Sequence, residues 1–236
     1  MTSPKKPGTP SNSSGAAVWI GVGAVIVVLG VIAVFLARGS GGDDEPVENQ
    51  TGSVSVGDSS TTAAEGETST PGKESGALPE YDASTSTDPA VGMTIPTVTG
   101  QDFAGDDLTI TGDDGKAKVI VFVAHWCPHC QREVPVLTEH LADAPMPDDV
   151  ELLTVSTSVQ PGAENYPPQE WLDEEGWPAP VLADDEASTV AQAFGLSSFP
   201  YFVAVDADGK VVERASGELT TDQFDALVAA AQEGTA

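Results

Sequence analysis

The pentapeptide Trp126-Cys127-Pro128-His129-Cys130 contains the only two cysteines in a chain of 236 residues. Two thiols three positions apart at the start of a helix can close a small disulfide ring across its first turn. A sulfur at a helix N-terminus faces unpaired N–H groups and the positive end of the dipole, which stabilise a thiolate. His129 adds a positive charge or a donor N–H beside that sulfur. A stabilised thiolate makes Cys127 a good leaving group, favours the dithiol and raises the reduction potential. The rival chemistry for this spacing is half of a zinc site. It needs two further ligands, and only His125 and His140 lie outside the motif. His140 is more than two helical turns away, so redox exchange is favoured and zinc is the alternative. Two cysteines also exclude a multi-disulfide scaffold and a four-cysteine zinc site within one chain.

A redox pair of this kind needs a rigid element on either side. Val119–Ala124 (VIVFVA) is a continuous apolar run, typical of a strand buried on both faces. Leu152–Ser156 and Tyr201–Val205 read the same way, and Val211–Ser216 reads as a weaker edge strand. Helices are expected after Cys130, around Gln169–Glu175, at Ala187–Phe194 and at Thr221–Gln232. Strands alternating with helices predict an α/β domain with helices flanking a central sheet. Thr94–Ile110, broken by Gly100 and Gly105, predicts an extra N-terminal β-hairpin. The domain is expected to span residues 91–236, an ordinary single-domain length.

The remainder of the chain divides by composition and charge. Residues 1–38 carry Lys5, Lys6 and Arg38 with no acid, residues 39–90 carry 11 acids and one Lys, and residues 91–236 carry 26 acids and 5 bases. With a net charge of −28 the chain repels nucleic acids and anionic lipid surfaces, so polyanion binding is excluded as a function. Ala16–Ala37 is an uncharged stretch that spans roughly 33 Å as a helix, enough for a bilayer core. We expect a transmembrane anchor over 16–38 and a cytoplasmic tail over 1–15. Lys5 and Lys6 before the stretch, with Asp43, Asp44 and Glu45 after it, predict a single-pass cell-membrane protein with its catalytic domain outside. A cleaved signal peptide is the alternative, disfavoured by the length of the run and the absence of an A-x-A site. Residues 39–90 contain 28 Gly, Ser, Thr or Pro and no Ile, Phe, Met or Trp. Such a segment buries too little apolar surface to offset its ordering entropy, and it reads as a disordered acidic linker.

Strand, CxxC and helix in this order resemble the thioredoxin superfamily. Pro200 lies 73 residues after Cys127 and directly precedes the Tyr201–Val205 strand. The resemblance implies a cis-proline there that faces the disulfide, with Phe199 presenting its amide groups to an extended substrate. More finely, residues 91–236 resemble the membrane-anchored TlpA/ResA-like thiol–disulfide oxidoreductases. The segments that carry this are Trp177-Pro178-Ala179-Pro180-Val181-Leu182-Ala183-Asp184, Ala193-Phe194-Gly195-Leu196, and the Asp206-Ala207-Asp208-Gly209-Lys210 turn. Glu133 and Pro135 match the family's helix acid and helix-kinking proline, which implies that Glu133 shifts proton equilibria at the buried Cys130 sulfur.

Two departures bear on function. Val121 stands where thioredoxins carry a buried Asp, and Tyr201 stands where Thr commonly follows the cis-proline. The Pro128-His129 dipeptide matches the strongly oxidising DsbA type, although the missing helical insertion excludes the DsbA architecture. Ile120 and Ala124 occupy positions that peroxiredoxins need as Pro and Thr. Cys127 is therefore expected to attack and Cys130 to resolve, with no cofactor beyond the Cys127–Cys130 disulfide. Trp126 is expected to pack near Cys127, and His125 to be exposed at the strand end. Trp171 and Trp177 read as half-buried loop packing, with the rim of a substrate groove as the alternative. The expected clients are cysteine-containing extracytoplasmic proteins, and turnover requires an external membrane redox partner. The His-stabilised thiolate tips the expected direction toward oxidation. A ResA-like reductase supporting cytochrome c maturation is the alternative, and a Sco-like copper-binding protein is the reading from a different class.

Overall fold

The computed structural model describes residues 54–56 and 76–234. The expected tail and anchor, and most of the expected linker, lie outside the described residues. No helix among the described residues is long and apolar enough to cross a membrane.

The strands are β1 (Ser55–Val56), β2 (Val98–Gln101), β3 (Asp107–Ile110), β4 (Ala117–Val123), β5 (Val150–Ser156), β6 (Val181–Ala183), β7 (Tyr201–Val205) and β8 (Val211–Ser216). The helices are α1 (Pro128–Asp143), α2 (Pro168–Glu174), α3 (Thr189–Ala193) and α4 (Thr221–Glu233). One mixed sheet runs β1-β2-β6-β5-β4-β7-β8, with β3 paired to β2. β4, β5 and β6 are parallel, β7 and β8 antiparallel, and β2–β3 is the expected hairpin. This is the expected thioredoxin-like α/β sheet, with β8 at its edge.

Every residue of β4 is buried, because both faces of this central strand are covered. Val119, Val121 and Val123 face Cys130, Val134 and Leu137 of α1 and Phe224 and Leu227 of α4. Ile120 and Phe122 face Ile95, Phe194 and Tyr201 on the other side. Period-two alternation thus feeds two cores from one strand. β4 and β5 each begin two residues before their apolar runs, because Ala117 pairs with Val150 and Lys118 with Glu151. Lys118 is buried, and its Nζ lies 2.5 Å from Asp114 Oδ1 and 3.8 Å from Glu151 Oε2.

The boundary expected at residue 91 is corrected by the structure. Residues 76–90 pack on the domain, and β1 adds to the edge of β2. Leu78 and Ala90 are buried in the second core. The Leu78 and Tyr81 N–H groups donate to the Ala193 and Gly195 carbonyls at 2.8 and 2.9 Å. Asp88 holds the buried Arg214 through two hydrogen bonds. Arg214 also donates to the Pro79 carbonyl at 2.8 Å and the Tyr201 hydroxyl at 3.0 Å, and it lies over the Tyr81 ring. Gly195 permits this approach: its φ is +70°, and a Cβ there would lie 2.2 Å from the Pro79 oxygen. A few anchoring side chains in a polar, small-residue segment outweigh its average composition.

Candidate active site

The site lies where the central strand β4 ends and α1 begins. Cys127 is the N-cap in extended conformation (φ −77°, ψ 120°), its N–H donating to Ala124 O and its carbonyl accepting from Gln131 N, both at 3.0 Å. Pro128 is at the first helical position, where a missing N–H leaves no bond unmade. Pro135 lies inside α1 and has no N–H to offer the Gln131 carbonyl.

Both cysteines are free thiols; Cys127 is 6% exposed and Cys130 0%. Cys127 is thus the thiol that an incoming sulfur reaches first. Burial pushes the Cys130 thiol far above its ordinary range. The Cys127 side chain and the Glu133 charge push it the same way, against a hydrogen bond from the Ala124 backbone. A buried, strongly held proton suits a resolving thiol that ionises only after the first exchange.

Glu133 is 3% exposed, one turn beyond Cys130. Both its oxygens accept from the Leu219 N–H, at 3.1 and 3.2 Å. Burial raises its pKa from the ordinary 4.5 to about 7, opposed by the Leu219 bond and assisted by the Glu218 charge. Ionised, it holds Cys130 as a thiol; neutral, it releases that restraint. A folded-state pKa above the unfolded value means that the native state binds the extra proton. This stability is complete below about pH 4.5 and is lost as pH rises to about 7, on the order of 3 kcal/mol. Glu133→Gln keeps an acceptor for Leu219 but removes that slope. Urea unfolding at pH 4.5 and 7.5 measures it, and equal pH dependence in both proteins contradicts the assignment. Asp184, also buried with a raised pKa, is present in both and cancels.

Trp126 and Phe199 both pack against the core cluster that contains Cys127. Trp126 is half-buried, and its Nε1–H donates to Ser158 O at 2.7 Å. Phe199 meets it edge-on with centroids 6.0 Å apart. The Phe199–Pro200 peptide is cis, and so is Tyr166–Pro167, which had no sequence signal. Trp171 is buried in the core, deeper than expected, and Trp177 donates to Thr154 Oγ1 at 2.8 Å.

His125 is corrected from exposed to fully buried. Its Nδ1 lies 2.7 Å from Glu164 O and its Nε2 accepts from Gln160 N at 3.1 Å, which fixes a neutral ring with the proton on Nδ1. Burial lowers its pKa accordingly. The 157–167 segment, distant in sequence, folds over the end of β4 and supplies these partners. His140 is paired instead with Asp225 Oδ1 at 2.7 Å. Neither histidine is directed at the cysteines as a metal ligand.

His129 is exposed, and its Nδ1 lies 2.6 Å from Glu218 Oε1 and 2.9 Å from Arg132 Nη2. Arg132 and Glu218 are site residues that sequence reasoning missed. Arg132 was visible one turn beyond His129 on the same helix face, but Glu218 is 86 residues farther along, with no local signal.

A family model described as Redoxin matches residues 90–230. The thiol–disulfide oxidoreductase ResA of Geobacillus thermodenitrificans is 28% identical over 135 residues, 57% of this chain and 74% of the relative. The thiol:disulfide interchange protein DsbE homolog of Paracoccus denitrificans is 31% identical over 107 residues, 45% of this chain and 54% of the relative. Among solved structures, that of MTB DsbF in mixed oxidised and reduced forms has 29% identity and a TM-score of 0.46, covering 57% of this chain and 94% of that one. With a family match over more than half its length, the chain belongs to the Redoxin family, and it is a TlpA/ResA-like thiol–disulfide oxidoreductase.

Proposed function

We propose that the chain is a ResA-like reductant, passing two electrons from the Cys127/Cys130 dithiol to disulfides of cysteine-containing extracytoplasmic proteins, apocytochrome c among them. The observation that carries this is the similarity to ResA across the ordered domain. It favours the reductant over the oxidant that Pro128-His129 suggested.

In the first step the Cys127 thiolate attacks one client sulfur, forming an intermolecular disulfide and releasing a client thiolate. Cys130 then gives up its proton, which ends on the first client thiolate, and attacks Cys127, closing the intramolecular disulfide and releasing the second client thiolate. The client gains two electrons and the enzyme loses two. With no third cysteine in the chain, an external membrane redox partner restores the dithiol. The uncharged stretch Ala16–Ala37 supports an anchor over 16–38, which would hold this domain outside the cell membrane by a single span.

Equilibration with glutathione tests the direction. A reduction potential at or below about −270 mV is expected, and a value near about −120 mV overturns the reductant reading.

A further inference from the structure

The turn Gly217–Leu219, between β8 and α4, meets the active site through three successive residues. The Gly217 N–H donates to the carbonyl of the cis residue Pro200 at 2.9 Å. Glu218 Oε1 lies 2.6 Å from His129 Nδ1, and the carboxylate takes Arg132 Nε at 3.1 and 3.2 Å and Nη2 at 2.5 Å. The Leu219 N–H donates to Glu133. Gly217, at φ +85°, allows the sharp reversal, and a capping box at Thr220 and Gln223 starts α4 immediately afterwards. The turn is therefore held at both ends, and Glu218 has little freedom to leave the helix.

Exposed ion pairs add little to folding, about 0–1 kcal/mol. Beside a reacting sulfur the same charges act on a different equilibrium. Arg132 lies close enough to Cys127 for their charges to interact, and His129 sits inside the CxxC. Both would stabilise a Cys127 thiolate, and both are bonded to one carboxylate. The Glu218 pKa is accordingly lowered to about 2, by the Arg132 hydrogen bonds first and His129 second.

We propose that Glu218 is a positioning residue that clamps His129 and Arg132, keeping the His129 ring and the Arg132 charge from the Cys127 thiolate and the Cys127–Cys130 disulfide less oxidising than the Pro-His dipeptide alone would make it. The inference rests on the thiol–disulfide chemistry of the site but not on the direction of electron flow. The equilibrium concerned is protein disulfide plus two glutathione thiols giving protein dithiol plus glutathione disulfide. One S–S bond breaks, one forms, and two electrons move to the protein.

The test compares the full-length protein with E218Q, E218D and the H129A/R132Q pair, with and without E218Q. In E218Q the equilibrium constant is expected to move about tenfold toward the dithiol, equivalent to about 30 mV for two electrons. E218D, which keeps the charge, is expected to stay within about threefold of the parent. Alkylation of the reduced protein at pH 6 should speed up severalfold in E218Q, with an unchanged urea midpoint. In the H129A/R132Q background, adding E218Q should have a clearly smaller effect. A change below twofold in E218Q overturns the proposal, as does an undiminished tenfold effect in that background, which would mean direct repulsion without a clamp. The parent constant decides the reductant reading; only its change on substitution decides this one.

Discussion

Cys130→Ser is expected to accumulate a covalent mixed disulfide with client protein through Cys127, whereas Cys127→Ser accumulates none. Cys127 caps the start of α1 and keeps 6% exposure, whereas Cys130 has none. Without Cys130 the first exchange proceeds and the second has no nucleophile, so the intermediate persists. Without Cys127 a client disulfide meets no accessible thiolate, because the remaining thiol is buried and holds its proton firmly. Reduction of a model disulfide should then fall by at least about a thousandfold, to near the uncatalysed rate. Non-reducing electrophoresis after acid quench reads the adduct. Equal adduct in both variants, or adduct only in Cys127→Ser, would contradict the assignment.

A fragment beginning at residue 91 is expected to be several kcal/mol less stable than one beginning at residue 76. The shorter fragment loses the buried Leu78 and the Tyr81 backbone bond to Gly195. It also leaves Arg214 without Asp88 and Pro79, still facing the Tyr201 hydroxyl inside the protein. Removing one partner of a buried ion pair costs about 3–5 kcal/mol, a large part of a total stability of about 5–15 kcal/mol. Urea unfolding of the two fragments measures the difference. Within the longer fragment, Arg214→Met combined with Asp88→Asn should recover much of the loss seen with Asp88→Asn alone, because the uncompensated charge is gone. Equal midpoints for the two fragments would show that residues 76–90 add nothing to the fold.

The residues that carry the chemistry could be read from local pattern. An apolar run long enough for a strand ends at Ala124, two cysteines follow at the spacing of one helical turn, and Pro128 suits the first helical position. Strand and helix signals depend on neighbours a few residues apart, so β4, α1, β7 and the β2–β3 hairpin were legible. Glu133 was also legible one turn beyond Cys130, though its burial was not.

What only the tertiary structure decided is the company these residues keep. His129 looked free to act on the Cys127 sulfur, but the strand order that places β8 beside β7 delivers Glu218 to it from 89 residues away. His125 was expected at the surface and is buried because the 157–167 segment folds over it and satisfies both ring nitrogens. Residues 76–90 looked like linker because average composition weighs every residue equally. Arg214, 126 residues from Asp88, makes a few of them decisive. Periodicity and capping act within a turn or a strand pair, whereas charge pairing and burial depend on which distant elements the sheet brings together.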